Sequence, residues 1–478
     1  MDFYIHAATI LDDLSQKKGS IKQLVFNSKK HDPKRTYALV CETLKYKHVL
    51  DEVIQCSKLL DLEKKIKKNL ARVLVHDLLM SKRGISASTG SIKEAILRHK
   101  TRLNAEFVKL KIRNKVKSHE ELALKNPVTL PRWIRINTIK ATKEEVLKQL
   151  ALTRVSSLKE VGPGTYYMDE IIDNLIALDG ETSLVNESCY QEGKVIIQDK
   201  ASCIPAAILG NQRQTKVGDI IDGCAAPGNK TTHLAALFPN AKIFAFERNS
   251  QRVQTLQKMV EISGAQNVEI LHQDFTQSDI MDPKFANVTH ILLDPSCSGS
   301  GIVSRQDFLL EESEQDLVED VNRLESLCSF QSTILKHALQ FPKCQYVTYS
   351  TCSVHRLENE QVVCDVLSQE PQWKCNTIEN TLPQWEDRGI PEYCTDPMMA
   401  KAMIRCVPGK FGTIGFFVCN LYHSGRVGNL LGNGTSNALE SNAKRKRKNQ
   451  KKKNYKKMKE RKLGTAMDST GHISESKT

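Results

Sequence analysis

"GDIIDGCAAPGNKTTHLAALF", residues 218–238, runs from a short apolar stretch through a turn of small residues into a helical pattern. Further apolar runs follow: "KIFAFE" (242–247), "NVEILHQD" (267–274), "HILLDPSC" (290–297) and "QYVTYSTC" (345–352). Helical stretches such as "SQRVQTLQKMVEISG" (250–264) and "RLENEQVVCDVLSQ" (356–369) alternate with them. Strands alternating with helices predict an α/β fold with a parallel, doubly wound sheet. At its end "AMIRCVPGKFGTIGFFVCNL" (402–421) predicts an antiparallel edge hairpin around a Pro-Gly-Lys turn.

Upstream the pattern changes. Residues 1–125 predict a helical region, with apolar residues at three- and four-residue spacing in "RTYALVCETLKYKHVLDEVIQC" and "DLEKKIKKNLARVLVHDLLM". "SIKEAIL" predicts a further helix opened by a capping box, Ser91 paired with Glu94. Pro127 and Pro131 then mark a boundary, and the run Trp133 to Ile136 predicts a strand leading into a helix. This small α/β module is expected over 126–186, the doubly wound domain over 187–425 and a disordered tail over 426–478, where Gly, Asn, Ser and Lys leave nothing to bury.

At 478 residues the chain is long enough for about three domains. No 18-residue apolar stretch occurs, and "MDFYIHAATILDD" lacks the basic and apolar segments of a signal peptide, so a soluble intracellular protein with no membrane partner is expected. The fourteen cysteines are scattered and form no C-x-x-C pair, which predicts free thiols and no bound metal. Of the formal net charge of +14, the segment Lys444 to Lys462 supplies +12, from 13 Lys or Arg against Glu460 alone. A basic block of this kind is a nuclear or nucleolar address, a sequence-independent RNA anchor, or both, with a merely solubilising tail as the remaining reading.

In an open α/β sheet the ligand sits at the carboxyl ends of the strands, which directs attention to "DGCAAPGNKTT", Asp222 to Thr232. A phosphate loop is out of register, because Asn229 intervenes between Gly228 and Lys230, and Pro227 removes an N–H from the anion-binding nest. The G-x-G-x-x-G dinucleotide fingerprint is absent as well. Glu247 ends the second strand, where a carboxylate accepts both ribose hydroxyls; Asp274 ends the third and is a candidate acceptor for an adenine amine. Arg252 is placed to clamp Glu247 or a cofactor carboxylate. A nucleoside without a pyrophosphate fits, and S-adenosylmethionine is the common one.

The fourth strand ends at Asp294 and Cys297, the fifth at Cys352, so a carboxylate and two thiols converge on the same edge. A thiolate beside a methyl donor suits cytosine chemistry. Carbon 5 of cytosine is not nucleophilic until a thiolate adds to carbon 6, and this covalent step divides one hard reaction into easier ones. Asp294 is the candidate for stabilising charge at the N3 and N4 edge. Lys230 either lowers a thiol pKa, orients the base, or forms a cofactor-side salt bridge.

Five ordered motifs, "RINT" (135–138), "IIQDKAS" (196–202), "DGCAAPGNKT" (222–231), "DPSCSGSG" (294–301) and "YSTCSV" (349–354) with "ENE" (358–360), resemble the Nol/Nop/Sun family of RNA (cytosine-5) methyltransferases over roughly residues 128–422. The resemblance implies a Rossmann-like S-adenosylmethionine-dependent methyltransferase domain behind a small RNA-recognition-like region. It assigns the nucleophile to Cys352 and product release to Cys297. It places cofactor contacts on Cys224, Ala225, Ala226, Pro227, Gly228, Asn229 and Lys230, and on Glu247, Arg252, Asp274 and Asp294. Ser296 stands where a second Pro is common in the family, and Ile414 where many members have Asp; neither is a proposed catalytic group. The spelling of the 294–301 loop and the basic tail look most like the fifth eukaryotic subfamily, which acts on large-subunit rRNA.

The expected partner is therefore rRNA in pre-ribosomal particles, in the nucleus and nucleolus. A stacked cytosine hides carbon 6, so the target base is single-stranded or flipped out. Residues 98–119, "RHKTRLNAEFVKLKIRNKVKSH", read equally well as an RNA contact or a solvated helix face. Two other functions stand beside this one: a tRNA cytosine-5 methyltransferase, and an RNA-binding ribosome-assembly factor without turnover. DNA is not expected as substrate, because a DNA cytosine-5 enzyme would use a Pro-Cys nucleophile where Ser296 precedes Cys297.

Overall fold

The computed structural model describes residues 1–431 except 17, 20, 29, 124–127, 213–216, 303–313 and 395. Helices from Asp2–Ser15 to Lys100–Arg113 form the N-terminal region around one apolar cluster running from Tyr4 to Leu122. Tyr4 is fully buried there, with its hydroxyl donating to Asp77 at 2.6 Å and accepting from the Ser86 N–H at 2.8 Å. The capping box expected at Ser91 and Glu94 does not form. Gly90 takes the N-cap position and Ser91 is already helical, so its hydroxyl is one residue too late to cap. A capping box occurs instead at Thr142 and Glu145, opening the helix Lys143–Leu150.

The small module is a five-stranded sheet of β1 (Arg132–Ile136), β2 (Thr153–Val155), β3 (Thr165–Met168), β4 (Leu175–Leu178) and β5 (Val195–Ile197), in the order β2-β3-β4-β1-β5. Ile134 on β1 pairs with Ile176 on one side and Ile197 on the other, both antiparallel. The boundary expected at 186 therefore moves past Ile197, because β5 hydrogen-bonds to β1 and completes this sheet. Pro127 lies outside the described residues.

The large sheet contains β6 (Asp219–Asp222), β7 (Ile243–Phe246), β8 (Val268–Leu271), β9 (Val288–Leu293), β10 (Tyr346–Thr351), β11 (Trp373–Cys375), β12 (Ile404–Cys406) and β13 (Phe416–His423). Its order is β11-β13-β10-β9-β6-β7-β8, with β12 paired to β13. Strands β10, β9, β6, β7 and β8 are mutually parallel, and β13 runs antiparallel beside β10. The predicted hairpin forms, pairing Ile404 with Val418, although β11 shares the outer edge of β13. Strand order reverses between β6 and β9. Such a switch point opens a crevice outside the carboxyl ends of the strands, and the residues following β6 and β9 frame it.

The doubly wound domain also outlasts the expected limit at 425. A helix, Ser424–Leu431, follows β13, and Val427 is buried against the sheet. The rest of the tail, including Lys444 to Lys462, lies outside the described residues.

Candidate active site

The turn after β6 is held from beneath by Asp222. Its carboxylate accepts from the Thr231 hydroxyl at 2.7 Å and the Cys224 N–H at 3.3 Å, while burial pushes its pKa up to about 6. Gly228 adopts φ +112°, and a Cβ there would lie 2.9 Å from Met259 Cγ, so only glycine lets the turn pack this closely on the helix Ser250–Ser263.

Glu247, which closes β7, is almost wholly buried and accepts from the Asn249 N–H at 2.8 Å. Arg252 lies 3.3 Å from the other Glu247 oxygen and donates to the Ala226 carbonyl at 2.5 Å, so it clamps the acid to the turn. Asp274 spends one oxygen on Thr276, accepting from its N–H at 2.9 Å and its hydroxyl at 2.7 Å. Its other oxygen faces Arg248 at 3.7 Å.

S-adenosylmethionine suits this set. The Asn229 side-chain oxygen is buried and makes no hydrogen bond among the described residues, leaving an acceptor within the turn. Lys230, the lysine a phosphate loop would need, is committed elsewhere: its Nζ donates to Asp294 at 2.7 Å and to the Ser202 hydroxyl at 3.0 Å. Burial acts to lower the pKa of this ammonium, and the Asp294 carboxylate overrides it, so the net direction is upward. Of the three roles open to Lys230, the geometry gives an ion pair with Asp294.

The second oxygen face of Asp294 accepts from the Ser350 hydroxyl at 2.7 Å. Cys297 follows three residues later, and its sulfur lies 3.2 Å from that of Cys352, just past β10. The Cys297 thiol is pushed well above the ordinary range, first by this contact and then by burial. The two sulfurs are close enough to share a proton.

The "ENE" motif, which carries no assigned role in the reading of the sequence, supports both cysteine loops from behind. Glu358 accepts from the N–H and hydroxyl of Ser298, and from Gln331 Nε2 at 3.0 Å. Asn359 accepts from the Thr351 hydroxyl at 2.6 Å and donates to the Ser353 carbonyl at 3.0 Å, bracketing Cys352. Glu360 accepts from Arg405 at 2.7 and 2.6 Å, which ties the hairpin to the following helix. All three are fully buried. Ser202 and Ser350 were missed as well, although each lies inside a motif quoted above.

The structure thus gathers the Cys224 to Lys230 turn, Asp294, Cys297 and Cys352 at one crevice, with Glu247 and Arg252 adjoining and Asp274 one strand further out. Among the described residues, no group of three or more His, Cys, Asp or Glu is arranged to hold a metal ion, and no helix is long and apolar enough to cross a membrane. In the stretch 98–119, Arg98 pairs with Glu63, Lys109 with Glu106 and Arg113 with Glu52.

With phosphate and dinucleotide binding set aside and open acceptors at the turn, the molecule falls in the class of S-adenosylmethionine-dependent methyltransferases. Residues 206–422 match the family described as 16S rRNA methyltransferase RsmB/F. Residues 34–123 and 130–198 match the N-terminal and ferredoxin-like domains of NOL1/NOP2/Sun domain family member 5. The chain is 73% identical to the 25S rRNA (cytosine-C(5))-methyltransferase rcm1 of Schizosaccharomyces pombe, over 89% of its own length and 92% of the relative's. It is 37% identical to a 28S rRNA (cytosine-C(5))-methyltransferase of Mus musculus, over 87% and 90%. The solved structure of PH0851 shares the fold with a TM-score of 0.54 at 22% identity, covering 84% of this chain and 93% of that one. The chain belongs to the Nol/Nop/Sun family, within its member-5 subfamily.

Proposed function

We propose that the protein forms 5-methylcytosine in large-subunit rRNA, using S-adenosylmethionine and a covalent bond from Cys352 to carbon 6 of the base. The observation that carries this reading is the 3.2 Å approach of the Cys297 and Cys352 sulfurs beside Asp294. Relatives named as 25S and 28S rRNA cytosine-C5 methyltransferases, matched along most of both chains, support the substrate.

The chemistry follows from the placement of the groups. The Cys352 thiolate adds to carbon 6, and the ring electrons move toward the N3 edge, leaving carbon 5 nucleophilic. Asp294 accepts from the exocyclic amine and holds the Lys230 ammonium at 2.7 Å, so that a positive charge beside the base offsets the negative charge developing toward N3. Bound S-adenosylmethionine supplies the electrophilic methyl group, with Glu247 on the ribose hydroxyls and Asp274 toward the adenine. Water takes the carbon 5 proton, the electrons of that C–H bond re-form the ring double bond, and the bond to carbon 6 breaks to release Cys352 as a thiolate. Cys297, whose sulfur lies 3.2 Å from that of Cys352, donates a hydrogen bond to the departing sulfur and so promotes release.

The reaction takes place in the nucleus, on pre-ribosomal particles in the nucleolus. Lys444 to Lys462 provide the address or the phosphate anchor. Bisulfite mapping of rRNA before and after deletion of the gene tests the assignment: one large-subunit cytosine is expected to lose its methyl group and to regain it with the wild-type gene alone. Complete methylation of every rRNA site in the deletion strain would point to an assembly factor without turnover, and loss confined to tRNA would point to the other substrate.

A further inference from the structure

Two motifs, "RINT" and "IIQDKAS", take no part in the chemistry above, yet the structure packs them together where the small sheet meets the large one. Arg135 on β1 is fully buried, and among the described residues none of its hydrogen-bond partners is a carboxylate. Its Nε donates to Gln198 Oε1 at 2.9 Å, and its Nη2 donates to the Asn229 carbonyl at 3.4 Å and the Thr232 hydroxyl at 3.1 Å. Burial pushes the guanidinium down to about 10, so it remains charged at neutral pH. Burying an ion without a counter-charge is unfavourable, and an apolar side chain would fill the same space at lower cost. What the guanidinium adds is Nη2, which reaches two acceptors at the start of the helix Asn229–Leu237, inside the cofactor turn, while Nε holds Gln198.

Asn137, two residues on, is also fully buried. Its amide donates to the Gly193 carbonyl at 2.9 Å and the Ser263 carbonyl at 2.8 Å, the latter at the end of the helix that carries Arg252 in its first turn. Gln198 extends the contact inward. Its Nε2 donates to the Ser202 carbonyl at 3.1 Å, and the Ser202 hydroxyl accepts from Lys230, the partner of Asp294. One strand of the small module thus grips both helices that flank the cofactor turn and is joined by hydrogen bonds to the acid at the base.

We propose that Arg135 and Asn137 are positioning residues through which the small module holds the cofactor turn in its binding geometry. Cofactor affinity then depends on a strand that never touches the cofactor. The inference rests on the Cys224 to Lys230 turn being the cofactor site.

The test uses the full chain without RNA, titrated with S-adenosylhomocysteine in a calorimeter, together with the melting temperature of each ligand-free variant. Arg135→Lys keeps the charge and loses the guanidinium donors, and is expected to weaken binding about tenfold. Thr232→Val is nearly isosteric and is expected to weaken it about threefold, with the double variant weaker by less than the product because the two share one hydrogen bond. In methyl transfer, KM for the cofactor should rise by more than kcat falls. Glu247→Gln is the control for the site itself. If it loses binding while Arg135→Lys and Thr232→Val bind as the wild type does, the clamp is overturned and the cofactor turn stands. Normal binding by Glu247→Gln would overturn the assignment of the turn. Weakening that tracks a lower ligand-free melting temperature in both clamp variants, with kcat and KM affected alike, would reduce Arg135 to a structural residue and overturn the proposal.

Discussion

Glu358 accepts from both the N–H and the hydroxyl of Ser298, at 2.8 and 2.6 Å, so one buried carboxylate fixes the residue directly after Cys297. Glu358→Gln preserves the shape but replaces the charged acceptor facing the Ser298 hydroxyl by a donor, so the hydroxyl must turn and its bond to a charge is lost. A hydrogen bond to a charged group is worth about 1.5–3 kcal/mol. Applied to the geometry of Cys297, this loss is expected to lower single-turnover methylation by about tenfold or more. Binding of S-adenosylhomocysteine should be unchanged, because Glu358 does not contact the turn after β6. Equal methylation rates in the two proteins would remove Glu358 from the support of Cys297.

The two thiols are expected to fail in opposite ways. Cys297→Ala removes the donor that helps Cys352 leave, so the protein should accumulate a covalent RNA adduct, visible as a slow-migrating band on a denaturing gel. Cys352→Ala removes the nucleophile and should form no adduct. An adduct in Cys352→Ala alone would exchange the two roles.

Gly301 donates its N–H to the Cys352 carbonyl at 2.9 Å and accepts from the Gly415 N–H at 2.8 Å, joining the two cysteine loops to the hairpin. A Cβ at Gly301 would sit 2.0 Å from the Gly415 carbonyl oxygen. Gly301→Ala must therefore push the loops apart, and methyl transfer is expected to fall by about a hundredfold, since small misplacements of reacting groups are amplified in rate. Far-ultraviolet circular dichroism should match the wild type, because β9 and β10 keep their ladder. Wild-type activity in Gly301→Ala would mean that the loops tolerate separation.

The catalytic edge was legible in the sequence because its groups sit at the ends of strands that are themselves easy to read. Asp294, Cys297 and Cys352 follow apolar runs, and the topology brings those ends together. The groups that hold them were not legible as supports. Glu358 meets Ser298 across 60 residues, and Arg135 meets Thr232 across 97, so their roles exist only once the sheets are assembled. Boundaries failed for the same reason. β5 looked like the approach to the large domain until its ladder with β1 placed it in the small sheet. At Ser91 the error was local, since a preceding glycine took the cap position.

His290 gives the fold a defined sensitivity to acid. It lies within β9, fully buried, with Nδ1 2.8 Å from the Thr289 hydroxyl and its ring 5.3 Å from that of Tyr346. Burial alone pushes this imidazole from 6.5 down to about 3. Because the folded value lies below the unfolded one, the unfolded chain binds more protons between them. The stabilisation is complete above pH 6.5 and is lost as pH falls through that window toward 3, by up to ~1.4 kcal/mol per pH unit. Asp199 and Asp222 act in the opposite sense. Burial pushes both up to about 6, so the stability they contribute is fully present below the unfolded value of 3.8 and is lost as pH rises through 6. His290→Phe keeps a ring against Tyr346 and removes the titration. Urea unfolding at pH 4.5, 5.5 and 6.5 should show wild-type stability rising more steeply with pH than that of the variant, the difference approaching one proton. Parallel stability curves for the two proteins would show that His290 is not the titrating group.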